Sequence, residues 1–231
     1  MNFTFGIVSN GSEYNYLNNC LDSIYSQNIK NFEIIIVGDI DKNMIHRNNK
    51  VKFVDFDETI KEGWITRKKN LITQQSVYEN IVYMHDYLTL HKNWYKGFNK
   101  FGNNFEIAMN KILNPDKSRY RDWTLWPHND CFVDEIVSDN ACLLPYDVSN
   151  LSEFMYISGA YWVSKKSIME EFPLNEDLVW GESEDVEWSK RVRKTKKFTF
   201  NKYSRTILQK YKNPQFNKIS KNQLKKILSD L

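Results

Sequence analysis

Apolar and polar positions change period several times along the chain, and each change marks an element. Phe3 to Val8 is a short β-branched and aromatic run that stops at the turn residues Ser9, Asn10 and Gly11, as a strand does. Leu17, Cys20, Leu21 and Ile24 then recur at i, i+3, i+4 and i+7, one face of a helix. Phe32 to Asp39 is apolar almost throughout, which fits a parallel strand covered on both faces. Val51 to Phe56 reads as another strand. Residues 64–80 read as a helix, with Leu71, Ile72 and Gln75 in register, and lead into the strand-like Ile81 to Tyr87. This β-α-β-(β)-α-β order predicts an α/β domain with an open, mostly parallel sheet.

The second half is less regular. Residues 93–102 suggest a short helix closed by Gly102, and Phe105 to Leu113 a strand ended by Asn114-Pro115. Periodicity is absent from 116–153, a stretch rich in Trp, Tyr, Asp and Pro; an aperiodic segment of that length is usually functional or disordered, and its aromatics favour function. Phe154 to Phe172 reads as a strand followed by a short helix. Residues 181–194 form a helix with acids first and bases last, matching the macrodipole. From Asn213 onward, lysines surround Phe216, Ile219, Leu224, Ile227 and Leu228, the pattern of an amphipathic helix. Its polar face reads as solvated, or as a contact to an anionic membrane surface.

Composition narrows the picture modestly. A chain of 231 residues suits one domain, here 1–212, with a tail over 213–231. Lys and Arg number 32 against 29 Asp and Glu, so bulk charge gives no reason to expect nucleic acid as a partner. The three cysteines, Cys20, Cys131 and Cys142, lack C-x-x-C spacing, and the N-terminus reads straight into a strand. No apolar run approaches the about 20 residues of a membrane helix. The expectation is a soluble, reduced, cytoplasmic protein with buried thiols, touching a membrane at most peripherally.

In open α/β sheets, ligands bind beyond the carboxyl ends of the strands. The polar groups gathered there are Ser9-Asn10-Gly11, Asp39 and His85-Asp86-Tyr87. Each alone could be turn punctuation. Together with the acidic helix start at Glu184-Asp185, they suggest one site.

Three blocks, in order, resemble the family 2-type glycosyltransferases of the glycosyltransferase-A (GT-A) fold: "FGIVSNGSEYNYLNNCLDSIYSQNIKNFEIIIVGD", "GWITRKKNLITQQSVYENIVYMHDY" and "SGAYWVSKKSIMEEFPLNEDLVWGESEDVEWSKRVR". The resemblance runs from Phe3 to Arg193. It implies a single Rossmann-like domain, with a nucleotide-binding half over 1–113 and an acceptor and catalytic half over 114–212. It implies a nucleotide-sugar donor, by default a UDP-sugar, and a glycan, glycolipid or glycoprotein acceptor, with transfer by inversion. Position by position, it places Ser9, Asn10, Gly11, Asp39, Arg67, Lys69 and Asn70 around the nucleotide and Gly159 against the donor sugar or acceptor. Asp185 stands as catalytic base, with Glu184 beside it.

An inverting transferase needs a carboxylate to take the proton of the attacking hydroxyl, and positive charge to stabilise the departing nucleoside diphosphate. His85-Asp86-Tyr87 occupies the place of the family's D-x-D motif but is not D-x-D. Asp86 can still ligate Mn²⁺ or Mg²⁺, and His85 suits Mn²⁺. No histidine follows His128, where relatives carry a metal ligand; the comparable "TILQKYKN" offers Lys210 or Lys212 as direct counter-charges, so metal-independent chemistry is an open alternative. The loop aromatics Trp123, Trp126 and Trp180 are candidate platforms for an acceptor sugar, with His128 as a further contact; core filling is the alternative for the tryptophans. Dinucleotide-binding, P-loop and sugar-nucleotidyltransferase glycine patterns are missing after the first strand. A catalytically degenerate binding module is the competing reading, opposed by the retained Glu184-Asp185.

Overall fold

The computed structural model describes residues 1–47, 49–126, 141–148, 151 and 154–229. In chain order the elements are β1 (Phe3–Val8), α1 (Tyr14–Tyr25), β2 (Phe32–Val37), β3 (Val51–Val54), α2 (Ile65–Gln75), β4 (Asn80–His85), β5 (Leu88–Leu90), α3 (Trp94–Phe101), β6 (Ile107–Leu113), β7 (Arg119–Tyr120), β8 (Thr124–Leu125), β9 (Cys142–Leu143), β10 (Met155–Tyr156), β11 (Tyr161–Lys165), α4 (Lys166–Glu171), α5 (Glu184–Val192), β12 (Phe198–Leu208), β13 (Asn217–Lys218) and α6 (Lys221–Ser229).

The main sheet runs β3-β2-β1-β4-β11-β6-β12-β5, with β7 added against β6. Its first four strands are parallel, in register from Phe3↔Phe32 to Val8↔Val37 and from Thr4↔Ile81 to Val8↔His85. β11 enters antiparallel beside β4, Met84 facing Tyr161, and returns the chain to the sheet's centre. The expected halves 1–113 and 114–212 therefore share one sheet, because β11 and β12 of the second complete the strands of the first. A second, four-stranded sheet, β10-β8-β9-β13, draws β8 and β9 from the segment that reads as aperiodic. Its strands are two residues each, too short to impose a period on the sequence.

β1 is buried along its whole length, which explains its unbroken apolar and small residues. Phe3, Phe5, Trp94 and Phe98 form one aromatic cluster beneath it, with edge-on and tilted ring contacts. The sequence overextends α2, which stops at Gln75, because Val77 is solvent-exposed and the chain straightens into β4. The long strand β12 has no clear signature; its pairing with β6 slips between Asn201 and Arg205, and exposed residues there interrupt the alternation. The C-terminal tail docks on the body. Leu224 is buried, Ile219, Ile227 and Leu228 pack against the main core, and β13 pairs with β9. Cys20 and Cys142 are free, buried thiols, and Cys131 lies outside the described residues. No helix among the described residues is long and apolar enough to cross a membrane.

Candidate active site

The carboxyl ends of β1, β2 and β4 converge on a cavity of about 600 Å³, lined among others by Ser9, Asn10, Asp39, Asp86 and Lys68. Ser9 Oγ donates to Asp86 Oδ2 at 2.6 Å, tying the end of β1 to the turn after β4. Burial pushes the Asp86 carboxyl up, against the Ser9 hydrogen bond and the charges of Lys210 and Lys68, which pull it down. Gly11 sits at φ +70°, and a Cβ there would meet the Asp39 carbonyl oxygen at 2.2 Å, so only glycine lets these two turns pass. Lys68 bonds the Ser9 carbonyl at 2.9 Å and pairs with Glu58.

A second cavity of about 560 Å³ adjoins the first, with His85, Tyr87 and Trp180 lining both. Its distinctive wall is the start of α5. Ser183 holds a left-handed backbone, φ 58°, and this uncommon conformation for a serine turns the first residues of α5 toward the cavity. Asp185 Oδ2 accepts from Gly159 N–H at 2.7 Å, and its Oδ1 accepts from Val186 N–H at 2.9 Å. Gly159 is crowded. A Cβ there would stand 2.9 Å from Glu184 Oε1 and 3.1 Å from Asp185 Oδ2.

The two carboxyls divide their roles by environment. Burial, and then the Asp185 charge, push Glu184 up to about 7. Burial also raises Asp185, opposed by the Gly159 amide and by the Lys69 ammonium. The two amide donors on Asp185 favour its charged form, whereas burial favours the protonated form of Glu184. Lys69 is buried; its ammonium bonds the Gly159 carbonyl at 2.9 Å and lies 4.7 Å over the Trp162 ring. Burial holds its pKa below the usual lysine range.

Several residues expected beside a nucleotide stand elsewhere. The residues of α2 point in different directions, and the sequence does not reveal which face turns to the cavity. Arg67 pairs with Glu176 at 3.1 Å, and Asn70 bonds the Leu174 carbonyl and Glu176, so both brace residues 173–178. Lys69 sits behind Gly159, on the α5 side. Lys68 is the member of that run lining the first cavity, and nothing in the sequence distinguishes it from its neighbours. Trp123 is core: 2% exposed, it packs on Phe200 and donates to the Val148 carbonyl. Trp126 lines the second cavity, edge-on to Tyr156 and Phe216. Trp180 is 68% exposed at the junction, free to stack on a ligand. His128 lies outside the described residues. Tyr120 and Arg121, from the aperiodic segment, also line the second cavity.

At the junction His85 stacks on Tyr87, ring centroids 5.0 Å apart. Burial and the charges of Lys69, Lys212 and Lys68 hold His85 well below its ordinary range, so it is neutral at pH 7. The donors for a divalent ion are sparse: Asp86 already accepts from Ser9, and Tyr87 lies under the Lys212 ammonium, 3.6 Å from its ring centroid. Among the described residues no group of three His, Cys, Asp or Glu side chains gathers to hold a metal. Burial and Lys210 push Lys212 down to about 8. The donors among the described residues do not by themselves make a site for Mn²⁺ or Mg²⁺.

A mixed sheet with parallel strands β3-β2-β1-β4, antiparallel β11 and a carboxylate helix behind it is the GT-A fold of glycosyltransferases. Two solved structures make the likeness concrete. The first is S. aureus TarS residues 1–349 in complex with UDP-GlcNAc, with a TM-score of 0.59 at 12% identity, covering 99% of this chain and 64% of that one. The second is GalNAc-T7 with UDP, GalNAc and Mn²⁺, with a TM-score of 0.63 at 12% identity, covering 94% of this chain and 44% of that one. This chain thus spans less than two thirds of the length of these structures. No family model matches the sequence. No curated protein matches it either.

Proposed function

We propose that the chain is a nucleotide-sugar-dependent glycosyltransferase. The nucleoside of the donor occupies the cavity at the ends of β1, β2 and β4, and the sugar reaches past His85 and Tyr87 into the second cavity. Asp185 removes the proton of an acceptor hydroxyl as its oxygen attacks the anomeric carbon from the face opposite the leaving diphosphate, so the product is inverted. The observation that carries this reading is the Asp185 carboxylate, fixed by two backbone N–H groups at 2.7 and 2.9 Å beside the cavity. A carboxylate held in one orientation by donors that favour its charged form is what a general base requires, and a module that only binds glycans has no use for it. UDP is the expected base-bearing group, a glycan, glycolipid or glycoprotein the acceptor class, and Trp180 and Trp126 the contacts to sugar.

The test is calorimetry with UDP, GDP and CDP, followed by a screen of UDP-sugars for donor turnover in the wild type and in Asp185→Asn. UDP binding with turnover that Asp185→Asn abolishes supports the transferase. UDP binding without turnover of any donor would favour the degenerate binding module, and binding of none of the three nucleotides would overturn the assignment.

A further inference from the structure

Beyond β12 the chain forms a strap across the junction of the two cavities. Gln209 N–H donates to the Tyr87 carbonyl at 2.9 Å, and its side-chain amide reaches the Tyr16 carbonyl at 2.8 Å and the Asp86 carbonyl at 3.2 Å. Three residues on, Lys212 N–H donates to Asn114 Oδ1 at 2.8 Å, and Asn114 Nδ2 returns a bond to the Lys212 carbonyl at 3.0 Å. Both ends of Lys210-Tyr211-Lys212 are therefore clamped, to the turn after β4 and to the end of β6.

The clamps present two ammonium groups over one ring. Lys212 Nζ lies 3.6 Å and Lys210 Nζ 5.7 Å from the Tyr87 centroid. Lys210 lines the first cavity and Lys212 the second, so the pair straddles their junction. The other lysines nearby are engaged: Lys68 with Glu58 and the Ser9 carbonyl, Lys69 with the Gly159 carbonyl. Among the described residues, neither Lys210 nor Lys212 has a carboxylate within ion-pair distance or a hydrogen bond from its ammonium. Two like charges held together, with the Asp86 carboxylate attracting them only from beyond ion-pair distance, cost free energy that a bound anion recovers. Tyrosine at position 87 matters here, since an aspartate under Lys212 would pair with that charge, whereas an aromatic face only cradles it.

We infer that Lys210 and Lys212 form the diphosphate subsite, and that they neutralise the leaving nucleoside diphosphate in place of a divalent metal ion. The inference rests on the transferase reading for the identity of the anion. The arrangement itself calls only for a diphosphate between the two cavities. As the bond between the anomeric carbon and the diphosphate oxygen breaks, its electron pair goes to that oxygen, and the two ammonium groups stabilise the charge.

The experiment is calorimetry with uridine, UDP and inorganic pyrophosphate, each with EDTA and with Mn²⁺, on the wild type, Lys210→Met, Lys212→Met and the double variant. Methionine keeps the stem and removes the charge. The expected result is UDP and pyrophosphate binding that EDTA leaves unchanged, weakened about ten- to hundredfold in Lys212→Met and further in the double variant. Uridine affinity should stay the same in all four proteins, which also shows that the variants are folded. UDP binding that requires Mn²⁺, or that survives loss of both lysines, would overturn the inference while leaving the transferase reading intact. Lysine-dependent pyrophosphate binding without affinity for UDP above it would keep the anion subsite and remove the nucleotide-sugar reading.

Discussion

Glu184→Gln tests the division of labour between the two carboxyls through stability. Glu184 is 6% exposed, and burial together with the adjacent Asp185 charge raises its carboxyl to about 7 from an ordinary 4.5. Between those values the folded protein keeps a proton that the unfolded chain has released. The stability that Glu184 contributes is fully present below pH 4.5 and is lost as pH rises through about 7. Each unit is worth about 1.4 kcal/mol, so the swing is on the order of 3 kcal/mol. Glutamine has the same shape and cannot ionise. The two proteins should therefore be equally stable near pH 4.5, and Glu184→Gln should be more stable by about 3 kcal/mol at pH 8, roughly 6–12 °C in Tm for a chain of this size. Urea titrations of both proteins at half-unit intervals from pH 4.5 to 8 measure the gap. A stability difference that stays constant with pH would refute the assignment of the proton to Glu184.

Other substitutions separate chemistry from folding. Asp185→Asn should lower kcat about 10²- to 10⁴-fold while UDP affinity, read by calorimetry, is retained; unchanged kcat would remove Asp185 as the base. Gly159→Ala places a Cβ 2.9 Å from Glu184 Oε1 and 3.1 Å from Asp185 Oδ2. The carboxylates must yield by a few tenths of an ångström, and kcat should fall about ten- to hundredfold with the urea midpoint little changed. Lys69→Met strips the Gly159 carbonyl of its ammonium partner and both carboxylates of their buried counter-charge, so the pH–rate profile should move to higher pH; a profile that stays in place argues that Lys69 is only packing. Trp123→Ala should cost about 3–5 kcal/mol, as a buried tryptophan does, whereas Trp180→Ala should change stability by less than about 0.5 kcal/mol and lower donor turnover.

The sequence by itself determined the elements whose periods are uninterrupted. β1, α1, β2 and β4 sit in a core that takes mostly apolar residues on the faces they bury, and that constraint is written directly as a run or a helical repeat. Their polar ends follow, because strands in a parallel array finish on one edge: Ser9, Asp39 and Asp86 gather as the pattern implies. Tertiary structure alone decided the rest. Arg67, Lys68, Lys69 and Asn70 are consecutive polar residues on one helix, and only the packing of α2 sends Lys68 to the cavity at the ends of β1, β2 and β4, Lys69 under Gly159, and Arg67 and Asn70 to the loop over 173–178. Trp123 and Trp180 look alike in a composition count, yet one fills the core and the other stands in solvent. The two-residue strands β8, β9, β10 and β13 derive their order from neighbours far away in sequence, and the ammonium pair of Lys210 and Lys212 exists because Gln209 and Asn114 clamp the strap between them. Hydrophobic periodicity records what each element buries against the whole; it does not record which of several equivalent polar side chains a distant contact will turn toward the site.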